Sequence, residues 1–202
     1  MATLAGLAFL ASLLMGPHGF GLPAGERVFG LIFWEIRMPR ALLGALVGAP
    51  LGMSGAALQG YLRNPLAEPG LLGVTGGASL GAVIAIHSGA AGVFAAALPI
   101  GGLTGAGLAA AAVLMLAGTH TGPLTLILAG VAMSSVAGAL TALAVNLSPN
   151  PFASVEIVFW MLGSLSDRSL VHVWLAAPFI AAGLILLLQT ARGLDALALG
   201  DE

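Results

Sequence analysis

The chain has 202 residues, of which 59% are hydrophobic and 7% charged, with a formal net charge of −2. Soluble domains carry about a quarter of their residues charged, so one water-facing core would leave too little polar surface to cover it, and a bilayer is the solvent this composition suits. The absence of cysteine excludes disulfides and thiolate metal sites, the absence of lysine excludes a phosphate-binding P-loop, and six scattered arginines form no basic stripe for nucleic acid.

Residues 1–25, 41–62, 69–155 and 169–191 carry no Asp, Glu, Lys or Arg. A spanning helix needs about 20 apolar residues, so the third run holds three spans and two turns. The expectation is an all-α, polytopic membrane helical bundle of about six transmembrane helices. They are placed near 2–20, 40–62, 72–90, 93–117, 124–146 and 169–190. The first run lacks a positive lead-in and is read as a membrane helix rather than a cleaved signal. Breaks fall at Gly16-Pro17, at 63–70 (R-N-P-L-A-E-P-G), at 87–92, at 118–123 (G-T-H-T-G-P) and at 147–151 (L-S-P-N-P). Residues 28–34 are too short to span and suit a short interfacial helix, with Phe33 and Trp34 at headgroup level. Residues 152–165 read the same way around Phe159 and Trp160.

Six spans put both termini on one side. Cytoplasmic termini would leave Arg63 and Arg192 inside and Arg27, Arg37, Arg40 and Arg168 outside, so charge alone would invert the chain.

Within the second span, Gly44, Gly48, Gly52 and Gly55 fall on one helical arc with Gln59. Small residues at this spacing let helix backbones approach closely in a membrane, and an amide among lipid tails should face protein. This helix is therefore expected at the centre of the bundle. The fifth span repeats the pattern with Gly130, Ser134, Gly138 and Thr141, whose hydroxyls either pack between helices or line a wet path. The four histidines (His18, His87, His120, His172) stand near interfaces without the spacing of a metal site.

The motifs around the second span carry the functional reading. R-M-P-R (37–40) precedes it, with Pro39 suited to the first turn of a helix. On residue type alone, Arg37 and Arg40 read either as interfacial cations that snorkel or as forks for carboxylates. R-N-P-L-A-E-P-G follows the span. Two prolines within five residues stop a regular helix, and irregular backbone at membrane depth needs protein or a wet cavity around it. Glu68 reads as a solvated loop carboxylate. Three further blocks are L-L-G-V-T-G-G-A (71–78), L-I-L-A-G-V-A (126–132) and F-W-M-L-G-S-L (159–165).

In this order the motifs resemble the FecCD-type permease subunits of ATP-driven importers of iron chelates, haem and vitamin B12. The resemblance implies cytoplasmic termini in a bacterial inner (plasma) membrane, and no cofactor. It implies that Arg37 and Arg40 dock a periplasmic or lipid-anchored substrate-binding protein, that Asn64, Pro65 and Leu66 form a cytoplasmic gate, and that the fifth helix lines the pathway at a dimer axis. The 118–123 turn stands where the family has its other gate loop, without a specific motif. The stretch 191–202 resembles the start of the cytoplasmic loop that seats on the ATPase, with Leu197, Leu199, Gly200, Asp201 and Glu202 as coupling residues. The implied partners are a dimer of ABC ATPase subunits, the binding protein, a second permease copy and membrane lipid, with no nucleic acid. Residues 1–202 are thus expected to form a single transmembrane permease domain, about the N-terminal two-thirds of a family member. On that expectation the chain is the product of a broken gene or early stop, a non-functional remnant, or half of a split permease.

The leading function is a non-enzymatic permease subunit importing an iron chelate, with a vitamin B12 or haem permease as the alternative. A channel or secondary transporter is disfavoured, because such proteins keep ionisable residues within their spans and these predicted interiors hold none.

Overall fold

The computed structural model describes residues 2–16, 19–20, 26–94, 96–118, 122–148, 151–166 and 168–199. In chain order these form α1 (Ala2–Leu14), a two-residue antiparallel pairing of Met15–Gly16 with Gly19–Phe20, and α2 (Glu26–Ile32). A π-helical turn (Phe33–Arg37) and α3 (Met38–Leu62) follow. Next come a 3-10 turn (Pro69–Leu72), α4 (Val74–His87), α5 (Ala90–Val93), α6 (Ala97–Ala117), α7 (Pro123–Asn146), α8 (Pro151–Leu162) and α9 (Leu170–Leu199). A helix stands at each of the six expected places, in the helical, polytopic arrangement expected. Among the described residues, four stretches are long and apolar enough to cross a bilayer: Val28–Leu62, Ala97–Ala117, Pro123–Asn146 and Leu170–Leu194. α1 and α4 are shorter. α1 ends at Leu14 rather than near 20, because the chain reverses at Gly16 into the small antiparallel pair.

The stretch 28–34 is not a separate interfacial helix. It continues through the π turn into α3, giving one helical rod over Val28–Leu62. Pro39 explains the turn. A proline inside a helix has no N–H to donate and presses on the carbonyl four residues back. Widening the helix by one residue accommodates it, and the Met38 N–H accordingly bonds the Phe33 carbonyl. Pro39 thus sits inside the rod, fully buried, rather than at its start. The 25 residues of α3 rise about 37 Å, somewhat more than the hydrocarbon core of about 30 Å. The last charges before its apolar run are Glu35, Arg37 and Arg40. Phe33 and Trp34 stack edge-to-face beside them at 5.4 Å. Helix α9 likewise passes residue 190 and stays helical to Leu199.

The chain divides into two compact units, Met1–Ala57 with Ser164–Glu202, and Leu58–Gly163. In the second unit α4 packs on both α6 and α7, and α8 folds against α4 and α7. Its core is Val83 and Ile86 of α4 with Ile157 of α8, flanked by Leu98, Ala144, Val145 and Trp160. A second cluster joins Val113 and Ala117 of α6 to Ala129 of α7. Most other large apolar side chains are exposed; Leu108 and Met115 on α6 are 72% and 81% accessible. In water such exposure would drive aggregation, whereas in lipid it is the solvated state.

Ile157 is fully buried and is the contact by which α8 enters that core. Ile157→Ala is expected to cost about 2–4 kcal/mol through the cavity it leaves. A thermal-unfolding scan of the detergent-solubilised chain should show a drop of roughly 5–10 °C, with no drop for the exposed neighbour Val158→Ala.

Candidate functional site

Two features flank α3. At its N-terminal mouth, Arg37 is only 6% exposed. Its Nη1 donates to the Leu13 carbonyl at 3.0 Å, and Arg40 donates from Nη2 to the Met15 carbonyl at 3.2 Å. The last carbonyls of α1 have no partner within their own helix, and cations suit the negative end of a helix dipole. The two arginines therefore hold the end of α1 against the mouth of α3. Their exposure differs, since Arg40 is half-buried and also lines a cleft of about 130 Å³ with Glu35, Ile36, Leu165, Ser166 and Arg168. Arg168 is exposed, its Nε directed to the Ser164 carbonyl at 3.5 Å.

At the far end of α3 the backbone turns through a capped elbow. The Arg63 N–H bonds the Gly60 carbonyl at 3.3 Å and the Asn64 N–H bonds the Gln59 carbonyl at 3.2 Å. This is the paired closure of a Schellman cap, which favours glycine at the left-handed position. Here that position is Arg63, with φ +48°, a conformation costing a residue with a Cβ about 1–2 kcal/mol. Asn64 Oδ1 then accepts the Leu66 N–H at 2.9 Å, and the Ala67 N–H bonds the Asn64 carbonyl at 3.1 Å. Asn is favoured before a turn for this side-chain mimicry of backbone, and Pro65 pre-sets the next φ. Gln59 satisfies its amide within the elbow, donating to the Ala67 carbonyl at 3.4 Å. Ala67 is buried, while Leu66 projects with 84% of its surface exposed.

The predicted glycine stripes fare unequally. On α3, a Cβ at Gly48, Gly52 or Gly55 would meet nothing within 4 Å, and one at Gly44 only the Leu165 side chain at 3.8 Å. On α7, Gly130 lies against the Leu71 carbonyl and Leu72 Cα, and Ser134 and Ala137 face Gly76. Gly73, at φ +71°, would bring a Cβ to 2.7 Å from the Gly130 carbonyl. Two blocks singled out in the sequence, 71–78 and 126–132, thus dock on one another. Thr141 is buried and Gly138 meets nothing within 4 Å.

A second backbone-to-backbone approach, between two full-length helices, lies between α4 and α6. Gly77 and Gly81 face Gly105 and Gly101. A Cβ on Gly77 would stand 2.6 Å from the Gly105 carbonyl, and one on Gly101 2.7 Å from the Gly81 carbonyl. Both pairs have the four-residue spacing already recognised on α3, so the signal was present.

Among the described residues no group of His, Asp and Glu could hold a metal ion. His172 Nδ1 faces the Ser169 hydroxyl at 3.2 Å, and His87 is exposed at the end of α4. His18, residues 119–121 of the 118–123 turn with His120 among them, and Gly200, Asp201 and Glu202 lie outside the described residues. Leu197 and Leu199 fall in the last turn of α9.

The FecCD transport family model matches residues 4–202. The uncharacterized ABC transporter permease protein YvrB of Bacillus subtilis is 40% identical over 194 residues, covering 92% of this chain and 54% of that protein. The cobalamin import system permease protein BtuC of Halobacterium salinarum is 38% identical, over 92% of this chain and 49% of its own length. The vitamin B12 import system permease protein BtuC of Escherichia coli is 36% identical, over 96% and 60%. A solved inward-facing structure described as a metal-chelate type ABC transporter superposes with a TM-score of 0.83 at 29% identity, over 98% of this chain and 63% of that one. The chain spans about half to three-fifths of the length of these curated relatives.

Proposed function

The chain belongs to the FecCD transport family, and on that premise we propose that it is the membrane-spanning permease component of a binding-protein-dependent ABC importer in a bacterial inner membrane. The observation that carries this reading is α3 itself, a single 25-residue helix with an arginine-bearing mouth at one end and an ordered Asn-Pro-Leu elbow at the other. The mouth is the extracytoplasmic end and receives the substrate-binding protein; the elbow is the cytoplasmic gate. A separate pair of ATPase subunits hydrolyses ATP, and the chain performs no bond chemistry. Nucleotide biases the balance between outward- and inward-facing states through differential contact with each. The stretch 191–202 takes the place of the start of the ATPase-coupling loop, and a second permease copy completes the pathway.

The cargo is a metal–organic complex. An iron chelate is the first reading. Cobalamin is the second, favoured by the names of the Halobacterium and Escherichia relatives. Uptake of a labelled ferric siderophore and of labelled cobalamin, in cells whose only FecCD permease contains this chain, separates the two. Cysteine labelling at positions 40 and 64 tests the framework beneath both. Accessibility from opposite faces of the membrane is expected, and labelling of both from one face would overturn the importer reading.

A further inference from the structure

Resting on that importer reading, we propose that Gln59 and Arg63 are positioning residues of the cytoplasmic gate. Gln59 latches the elbow in its folded form, and the backbone of Arg63 loads it toward release. Among the described residues, positive φ falls on Gly73, Gly89, Gly118 and Gly163, and on Arg63 at +48°. Glycine takes such a conformation without steric cost, whereas a Cβ there crowds the following carbonyl oxygen. The end of α3 is thus the one positive-φ position among the described residues that carries a side chain. Arg63 and Gly73 bracket the elbow. The Gly73 end is fixed, because its backbone lies against Gly130 and Ser134 of α7. The strain, and with it the freedom to relax, sits at the Arg63 end.

A strained residue persists only where its surroundings hold it. The cap bonds do part of this, from the Arg63 N–H to the Gly60 carbonyl at 3.3 Å and from the Asn64 N–H to the Gln59 carbonyl at 3.2 Å. The Gln59 side chain does the rest. Its Nε2 reaches the Ala67 carbonyl eight positions on at 3.4 Å, tying the last turn of α3 to the far limb of the elbow. Ala67 is 2% exposed, so loss of that donor strands a carbonyl away from water. Strain on one side and a long amide bond on the other bring the folded and released elbows close in free energy. A gate biased by nucleotide requires two such states. Asn64, Pro65 and Leu66 lie between Arg63 and the Ala67 carbonyl, so release at either point moves the projecting Leu66 side chain.

The test is hydrogen exchange of the elbow amides in the complete assembly in lipid membranes, beside transport of labelled ferric siderophore or cobalamin per ATP hydrolysed. Gln59→Leu is expected to speed exchange at Leu66 and Ala67 by at least about fivefold and to lower the cargo moved per ATP. Arg63→Gly and Arg63→Ala both remove the guanidinium and differ in the cost of the left-handed backbone. Exchange should be at least about threefold slower in the glycine variant than in the alanine one, with Arg63→Asn between them. Arg63→Gly should also lower the maximal transport rate at an unchanged half-saturating concentration of binding protein, a split that mere loss of structure does not give. Wild-type exchange in Gln59→Leu would overturn the latch, and equal exchange in Arg63→Gly and Arg63→Ala would overturn the loading at Arg63. Altered exchange with unaltered maximal rate and cargo per ATP would overturn the gating role. A wild-type assembly that moves neither cargo would instead overturn the importer reading, with the exchange rates still deciding the elbow.

Discussion

Gly81→Ala should abolish the native packing of α4 on α6, whereas Gly107→Ala, on α6 itself, should leave it intact. At Gly81 the added methyl falls on the Gly101 carbonyl, with the Gly101 carbonyl carbon at 2.9 Å and Gly105 Cα at 3.0 Å. These are backbone atoms and cannot swing aside as a long side chain does. The helices must separate along their whole crossing. That loosens Ala109, which is buried beside Gly77, and disturbs Val83 and Ile86 on the same helix. Overpacking of this kind costs about 1–3 kcal/mol, occasionally more, and an immovable backbone partner argues for the upper end. At Gly107 the new methyl meets nothing within 4 Å, and alanine is the better helix former. The pair is compared by thermal unfolding and by monodisperse yield in detergent. Equal midpoints for the two variants would mean that α4 and α6 do not approach as closely as described.

Arg37→Glu should deplete the folded protein rather than merely weaken docking. The substitution replaces the donor to the Leu13 carbonyl with an acceptor, at a site only 6% exposed. The negative end of the α1 dipole then faces a carboxylate, and the buried charge has lost its partner, a change worth about 3–5 kcal/mol. Arg40→Glu acts on a more open side chain and should spare folding while reducing association with the binding protein. The readouts are membrane yield, protease sensitivity of the α1 segment, and transport corrected for yield. Full yield with Arg37→Glu would show that the end of α1 does not depend on that guanidinium.

The helices were legible because each charge-free run has the length of one span, or of three with their turns, and the elbow because two closely spaced prolines and an Asx residue can do little else. Four features were not. The π turn arises from a proline read as the start of a helix, when the chain before Pro39 was already helical. The burial of Arg37 depends on a carbonyl 24 positions away, which local sequence does not encode. The glycine spacing on α3 and that on α4 and α6 look alike on paper, yet among the described residues only the latter meets backbone. Periodicity reports that a helix face is flat; it does not name what lies against it. The cleft of Glu35, Arg40 and Arg168 was missed for a similar reason, since the two arginines were sorted by side of the membrane and not by proximity.

The glycine-to-glycine crossing has a mechanical corollary. Where backbone meets backbone, no film of side chains remains to be re-sorted, and neither rod can slide or roll on the other without a collision. α4 and α6 should therefore travel as a single plank during any transport cycle, leaving the bending to the proline-broken elbow beyond α3.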